Sequence, residues 1–193
     1  MPNAMKVAPV DQSKIIRLPS IFNPTQLMGD GSKIWRGPPG GNGLGDEEEV
    51  YEPNGLEELD VGKMLFDSFL LKCDGSRTHG ETRLYNAKNS GKILLGGRAA
   101  MALWTDYRED REKSALEWLR RNREVIGMGW PGNDRDVVGL TLGGVVLCGS
   151  SGACRSVLIF SYYAGKWQLK HSGLDQVCGG PPYAYLEPGE GGF

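Results

Sequence analysis

Three residue types suited to acyl transfer occur in this chain in a workable order. A serine attacks a carbonyl when a base takes its proton, an acid orients that base, and backbone N–H groups hold the oxyanion. Gly149-Ser150-Ser151-Gly152 offers Ser151 as a nucleophile in a glycine turn. His79 lies upstream, and Asp106, Asp110, Asp134 and Asp136 fall between them. His79 and His171 are the two histidines, so imidazole chemistry must use one of them. The same stretch, "VLCGSSGACRSVLIF" at 146–160, also reads as a hairpin with a polar tip. There Gly supplies positive φ and Ser satisfies the turn backbone. The hairpin is the preferred reading.

The His–Asp–Ser order resembles that of chymotrypsin-like serine hydrolases. The resemblance implies two β-barrels, with His79 as base, Asp106 as orienting acid and Ser151 as nucleophile. A long helical pattern between base and nucleophile opposes it, as does the scarcity of strands before His79. "QVCGG" at Cys178 resembles the cysteine-protease cousins of that fold, but too little chain follows it. The hydrolase stands as the enzymatic alternative.

The four cysteines show no C-x-x-C spacing. Cys73-x5-His79 and Cys148-x5-Cys154 could supply the four soft ligands of a closed zinc site. Those spacings are longer than the usual two to four, and the preferred reading is buried thiols with no cofactor. In an oxidising compartment Cys148 and Cys154 could bridge the hairpin. Among glycine-rich stretches, "KILLGGRAAMALW" runs from strand through Gly-Gly into helix, which suits an anion near Arg98. It lacks the rest of a dinucleotide fingerprint.

The elements that would position these groups follow from periodicity. "DVVGLTLGGVVLC" and "RSVLIFSYY" read as strands, and Ala164-Gly165 turns the second into "KWQLKH". Leu103, Tyr107, Ala115, Trp118, Leu119 and Ile126 recur near the helical period, with "REDREK" breaking the run into two helices. Glu109→Lys113 and Glu117→Arg121 are helix-supporting pairs. "GKMLFDSFLLKC", "TRLYN" and "KILL" read as strands. The fold class is therefore α+β: a C-terminal antiparallel meander packed on one or two amphipathic helices.

Domain organisation follows composition. Gly (29 residues) and Pro (11) are plentiful and concentrate at the ends. Residues 1–58 read as a largely disordered arm with an acidic, Gly/Pro-rich linker, 59–178 as one domain, and 179–193 as a tail. Charge is uneven: +3 over residues 1–45, −8 over 46–60, +4 over 61–133 and −1 beyond. No segment concentrates Lys/Arg among aromatics, so nucleic acid is not indicated. No stretch approaches the length of a membrane span, and "MPNAMKVAPVDQSKII" lacks the apolar centre of a secretory signal. The expected location is cytoplasmic or the interior of a virion.

Apolar residues in an unordered arm point to docking, either on the chain's own core or on a partner. Ile21, Phe22 and Trp35, then Tyr51 and Leu56 in "YEPNGL", and Tyr183 and Leu186 in "YAYL" are the candidate partner contacts. Arg120, Arg121 and Arg123 form a basic helix face that the acidic run of another copy could meet head to tail. By itself, that face is a solvated one.

The acidic run before "VYEPNGL", the stretch "LFDSFLLKCDGSR" and the late "SYYAGKWQLKHSGL" resemble the matrix proteins of rhabdoviruses, of the vesicular stomatitis type. The resemblance implies an unordered arm ahead of a compact α+β domain, self-association, tail motifs and peripheral membrane contact. Such proteins usually carry a lysine-rich arm, whereas this arm is +3 and the chain −2; "PPYAY" also departs from a PPxY motif. At about 1 kcal/mol per surface Lys/Arg, membrane attraction would be weak. The functional expectation is a non-enzymatic assembly protein that associates with itself and docks partners through its tails.

Overall fold

The computed structural model describes residues 12–29, 31–67, 79–122, 138–148, 155–175 and 181–189. In chain order these form β1 (Ile15–Arg17), α1 (Pro24–Met28), β2 (Lys33–Ile34), β3 (Glu58–Asp60), β4 (Leu65–Asp67), α2 (Gly80–Lys88), β5 (Ile93–Leu94), α3 (Gly97–Glu109), α4 (Ala115–Arg121), β6 (Val138–Cys148), β7 (Arg155–Tyr163), β8 (Lys166–Gly173) and β9 (Tyr183–Leu186). The fold is α+β. The antiparallel meander expected from alternation is β6-β7-β8, and the main sheet extends it in the order β4-β9-β6-β7-β8.

The meander forms because its strands have two apolar faces to bury. Leu140, Leu142, Leu158, Phe160, Trp167 and Leu169 point to one face, where α3, α4 and Val61–Met64 pack. Val146, Val157 and Leu174 point to the other, against Leu84 and Ala87 of α2 and against Trp35. β6 is therefore buried at every position but its last, as a central strand covered on both sides must be. The β7–β8 turn is the expected Ala164-Gly165, with φ of 51° and 79°. Positive φ at both positions matches the strand twist, but an alanine there pays a steric cost that glycine does not.

α3 and α4 are the two expected helices, separated near Asp110. Ser114 caps α4 by accepting the Glu117 N–H at 3.2 Å. The expected i,i+4 ion pairs give way to closer ones. Lys113 meets Asp110 at 3.9 Å, and Arg120 meets Glu117 at 2.8 Å.

Three expectations need correction. "TRLYN" is part of helix α2, with Arg83, Leu84 and Ala87 on its buried side; a short apolar run cannot by itself separate helix from strand. The segment expected to be a disordered arm is, over its described part, a strap folded onto the core. Its boundary at residue 58 falls inside β3, which pairs with β1 through Ile15–Asp60, Ile16–Leu59 and Arg17–Glu58. The strap's polar backbone is satisfied by the sheet: Trp35 N–H donates to Val146 O, Val146 N–H to Glu49 O, and Tyr51 N–H to Gly144 O. "YAYL" is not a tail motif but strand β9, lying between β4 and β6 with all four residues buried.

Two glycines allow this closure. A Cβ on Gly144 would lie 2.7 Å from Leu94 O, and one on Gly96 would lie 2.7 Å from the Gly144 carbonyl carbon. Backbone meets backbone there, so neither position has room for a side chain.

Tyr183→Ala should cost about 3–5 kcal/mol in chemical denaturation, as for a buried aromatic; a residue in a free tail would leave the midpoint unmoved. Ala164→Gly should raise stability by about 1 kcal/mol by relieving the positive φ, read in the same assay.

Candidate interaction surfaces

The residues singled out for chemistry are placed apart. His79 is the exposed residue preceding α2, and its carbonyl accepts the Arg83 N–H. Asp106 is half-buried on α3. It pairs with Lys14 at 2.5 Å and accepts the Ala115 N–H at 2.6 Å, which ties the strap and α4 to α3. No hydrogen bond among the described residues joins His79 to Asp106. Ser151 lies outside the described residues, as do Cys73, Cys154, Cys178 and Arg123. The imidazole that does meet hydroxyls is His171, with Ser32 Oγ 3.0 Å from Nε2 and Ser156 Oγ 3.1 Å from Nδ1. Ser32 is wholly buried, so no substrate can reach its oxygen in this conformation. The array fastens the strap to the meander.

Cys148 is half-buried at the end of β6, across from Lys33 on one side and Arg155 on the other. Among the described residues, no group of three or more His, Cys, Asp or Glu side chains is placed to hold a metal. The anion expected near Arg98 is internal. The buried Glu52 carboxylate accepts the N–H groups of Gly96 at 2.9 Å, Arg98 at 2.8 Å and Ala99 at 3.1 Å, at the N-terminus of α3. Arg98 turns its guanidinium to the carbonyls of Asn54 and Leu56.

A second buried ionic cluster lies on the α2 side of the sheet. Arg155 donates to both Glu49 and Glu81 and stacks over the Trp35 ring at 5.3 Å. Burial alone would lower its affinity for a proton, but the hydrogen bonds it donates to Glu49 and Glu81 outweigh this and hold the charge more firmly than usual. Burial, then the hydrogen bond to Glu49, raises the Tyr51 phenol, so Tyr51 is a neutral donor to that carboxylate at 2.5 Å. Sequence reasoning treated residues 46–60 as a free acidic run; Glu49 and Glu52 are instead turned inward and neutralised.

Most of the expected partner contacts are core residues. Trp35, Leu56, Tyr183 and Leu186 are buried, and Tyr51 is half-buried beneath Lys88. Phe22 is half-buried, its ring against Gly97 where a Cβ would clash at 2.3 Å. Arg120 pairs with Glu117 and covers the Tyr162 ring at 4.8 Å, while Arg121 is exposed and donates to Glu112 O. Among these candidates, Ile21 is the apolar side chain left outside, at 75% exposure.

Ile21 is not isolated. It lines an open groove of about 750 Å³ with Phe22, Pro24, Ile34 and Leu44, and Leu44 is 81% exposed. Lys33, Arg36 and Glu48 border it. A second groove, of about 510 Å³, runs between the C-terminal half of α3 and β8. Among the described residues, its charged lining is Arg108, Arg111, Lys166 and Lys170, with no carboxylate. No alternation or spacing in the sequence signals this groove, because its cations come from two elements far apart in the chain.

No family model, curated protein or solved structure matches this chain. Among the described residues, no helix is long and apolar enough to cross a membrane.

The Glu52 contact has a pH signature. Burial raises its carboxyl above the ordinary value; the N–H groups of Gly96, Arg98 and Ala99 and the Arg98 charge oppose this without reversing it. The folded chain therefore holds a proton there more tightly than the unfolded chain. This contribution to stability is greatest below the ordinary glutamate range, falls as pH rises through the raised value, and then levels off. Urea titrations across that range should show the slope in the wild type and lose it in Glu52→Gln. Glu52→Ala, which strands three buried N–H groups, should cost about 3 kcal/mol.

Proposed function

We propose that this chain is a non-enzymatic structural protein that associates with itself, as the rhabdovirus matrix proteins it resembles do. One observation carries the reading: Ile21 and Leu44, both large and apolar, stand exposed across one groove whose other apolar lining is already half-buried. A contiguous apolar surface with a polar rim is the signature of a protein contact. The rim supplies both signs, with Arg36 and Glu48 paired at 3.4 Å and each about half exposed. A two-fold contact needs a self-complementary patch, and exchange of Arg36 and Glu48 between two copies provides one. The occupant of this groove is a second copy.

The expected head-to-tail contact between the acidic run and Arg120 and Arg121 would draw on side chains already engaged within the subunit. The two-fold contact also draws on an engaged pair, Arg36 and Glu48, but that pair is long, at 3.4 Å, and about half exposed, so its exchange between copies costs little. It also requires no cofactor, whether zinc or any other. Peripheral membrane attraction is a secondary element of the proposal. Lys14 is tied to Asp106, which leaves Arg17 and Lys33 as the exposed cations of the described arm without an ion pair.

Sedimentation velocity over a range of concentrations tests the proposal. The wild type should associate, and Ile21→Ser with Leu44→Ser should weaken association about 10,000-fold, at roughly 1.5 kcal/mol for each of the four side chains that two copies contribute. Thermal unfolding should be unchanged, because both side chains are exposed. A wild type that sediments as a monomer throughout would sink the reading.

A further inference from the structure

We infer that the cationic groove along β8 is a docking site for an extended acidic segment of a partner protein, which adds to the sheet as a strand. The first support is topological. β8 ends the strand order, and among the described residues no strand lies along its far side. It spans eight residues, a long edge for a protein to leave open.

Hydrogen bonding shows which groups face outward. Leu174 N–H donates to Arg155 O on β7, so even-numbered residues bond inward. Trp167 N–H donates instead to the Tyr107 hydroxyl at 3.2 Å, away from β7. By the same parity, Leu169 directs its N–H and C=O outward, as an added strand requires.

The groove follows this edge rather than a face. Its lining includes the five consecutive residues Lys166–Lys170, whose side chains alternate between the two faces of the sheet. Only the edge of a strand presents both sets to one groove. Across from it stand Trp104, Tyr107, Arg108 and Arg111 of the α3 end. Trp104 and Tyr107 stack at 5.5 Å, with Arg111 over Tyr107 at 5.8 Å.

Charge selects the occupant. Among the described residues, four cations and no carboxylate line the groove, whereas Asp110, on the same turn of chain, is paired with Lys113. Pairing β8 with β8 of a second copy would set Lys166 and Lys170 against their own kind, which is unfavourable. The chain's own acidic run is also a poor strand donor, since Glu48 and Val50 are bridged to Arg36 and Val145. An acidic segment from another protein meets neither obstacle.

The test is fluorescence anisotropy on the full chain with a capped, labelled peptide of alternating Glu and Val, as long as β8. Three controls accompany it: the Lys-for-Glu peptide, the same acidic peptide N-methylated at alternate residues, and vesicles containing phosphatidylserine. The acidic peptide should bind, and Lys166→Glu with Lys170→Glu should weaken it about tenfold without lowering the unfolding temperature, since both lysines are exposed. N-methylation, which removes strand pairing but keeps charge, should abolish binding. Equal binding of the N-methylated peptide would reduce the groove to a charge patch and overturn the inference. So would lysine-dependent binding of vesicles without peptide, or loss of self-association in the lysine variant, which would make a second copy the occupant. The Ile21 and Leu44 variant should bind the peptide normally, so this result stands or falls apart from the self-association result.

Discussion

The contact on which the rest of this structure hangs is a buried carboxylate at a helix N-terminus. Glu52 receives three N–H groups of the first turn of α3, where the helix dipole and unsatisfied donors favour negative charge. Arg98, from that same turn, reaches back to the carbonyls of Asn54 and Leu56. The strap and the helix thus satisfy each other's backbone in both directions. Without that exchange, the start of α3 would bury donors with no acceptor, and the strap would lose its tie to α3 at Asn54 and Leu56. The close approach of Gly96 and Gly144 brings the junction against β6, so one cluster joins strap, helix and sheet.

How much of this was legible in the sequence depends on whether a signal is periodic. β6, β7 and β8 alternate or run apolar over eight to eleven residues, and α3 and α4 keep helical spacing. Those elements declare themselves. The strap does not, because Ile16, Leu18, Trp35, Leu56 and Leu59 are single anchors separated by glycine, proline and charge. Its hydrogen bonds go to the sheet and to distant parts of itself, as from Leu18 N–H to Glu57 O, so no local period marks it. β9 is four residues long between Gly/Pro-rich flanks, too short for a period, and its burial is decided by β4 and β6 on either side.

The functional surfaces were less legible still. The hydroxyl, imidazole and carboxylate groups that the sequence offers in catalytic order were separable on the page only by placement: Asp106 holds Lys14 and the start of α4, and His79 stands exposed before α2. Residues 46–60 looked like one acidic block because charge is counted along the chain, whereas Glu49 and Glu52 are neutralised by Arg155 and the α3 N-terminus. Conversely, Arg108, Arg111, Lys166 and Lys170 come together only when the end of α3 crosses β8. Of the apolar docking candidates, Ile21 remained outside; Leu44, hidden in a glycine-rich stretch, joined it.

The position of β9 has a consequence for biosynthesis. The strand lies inside the sheet, yet it follows every other described strand in the chain. Until residues 183–186 have left the ribosome, β4 and β6 have no neighbour on their facing sides, and Tyr183 and Tyr185 are missing from the second core. Every other described strand is made before the sheet can close, and closure spans a long sequence separation that slows folding. The nascent protein therefore passes through a stage with two unpaired strand edges, when it is most open to chaperones and to mispairing with other copies of itself.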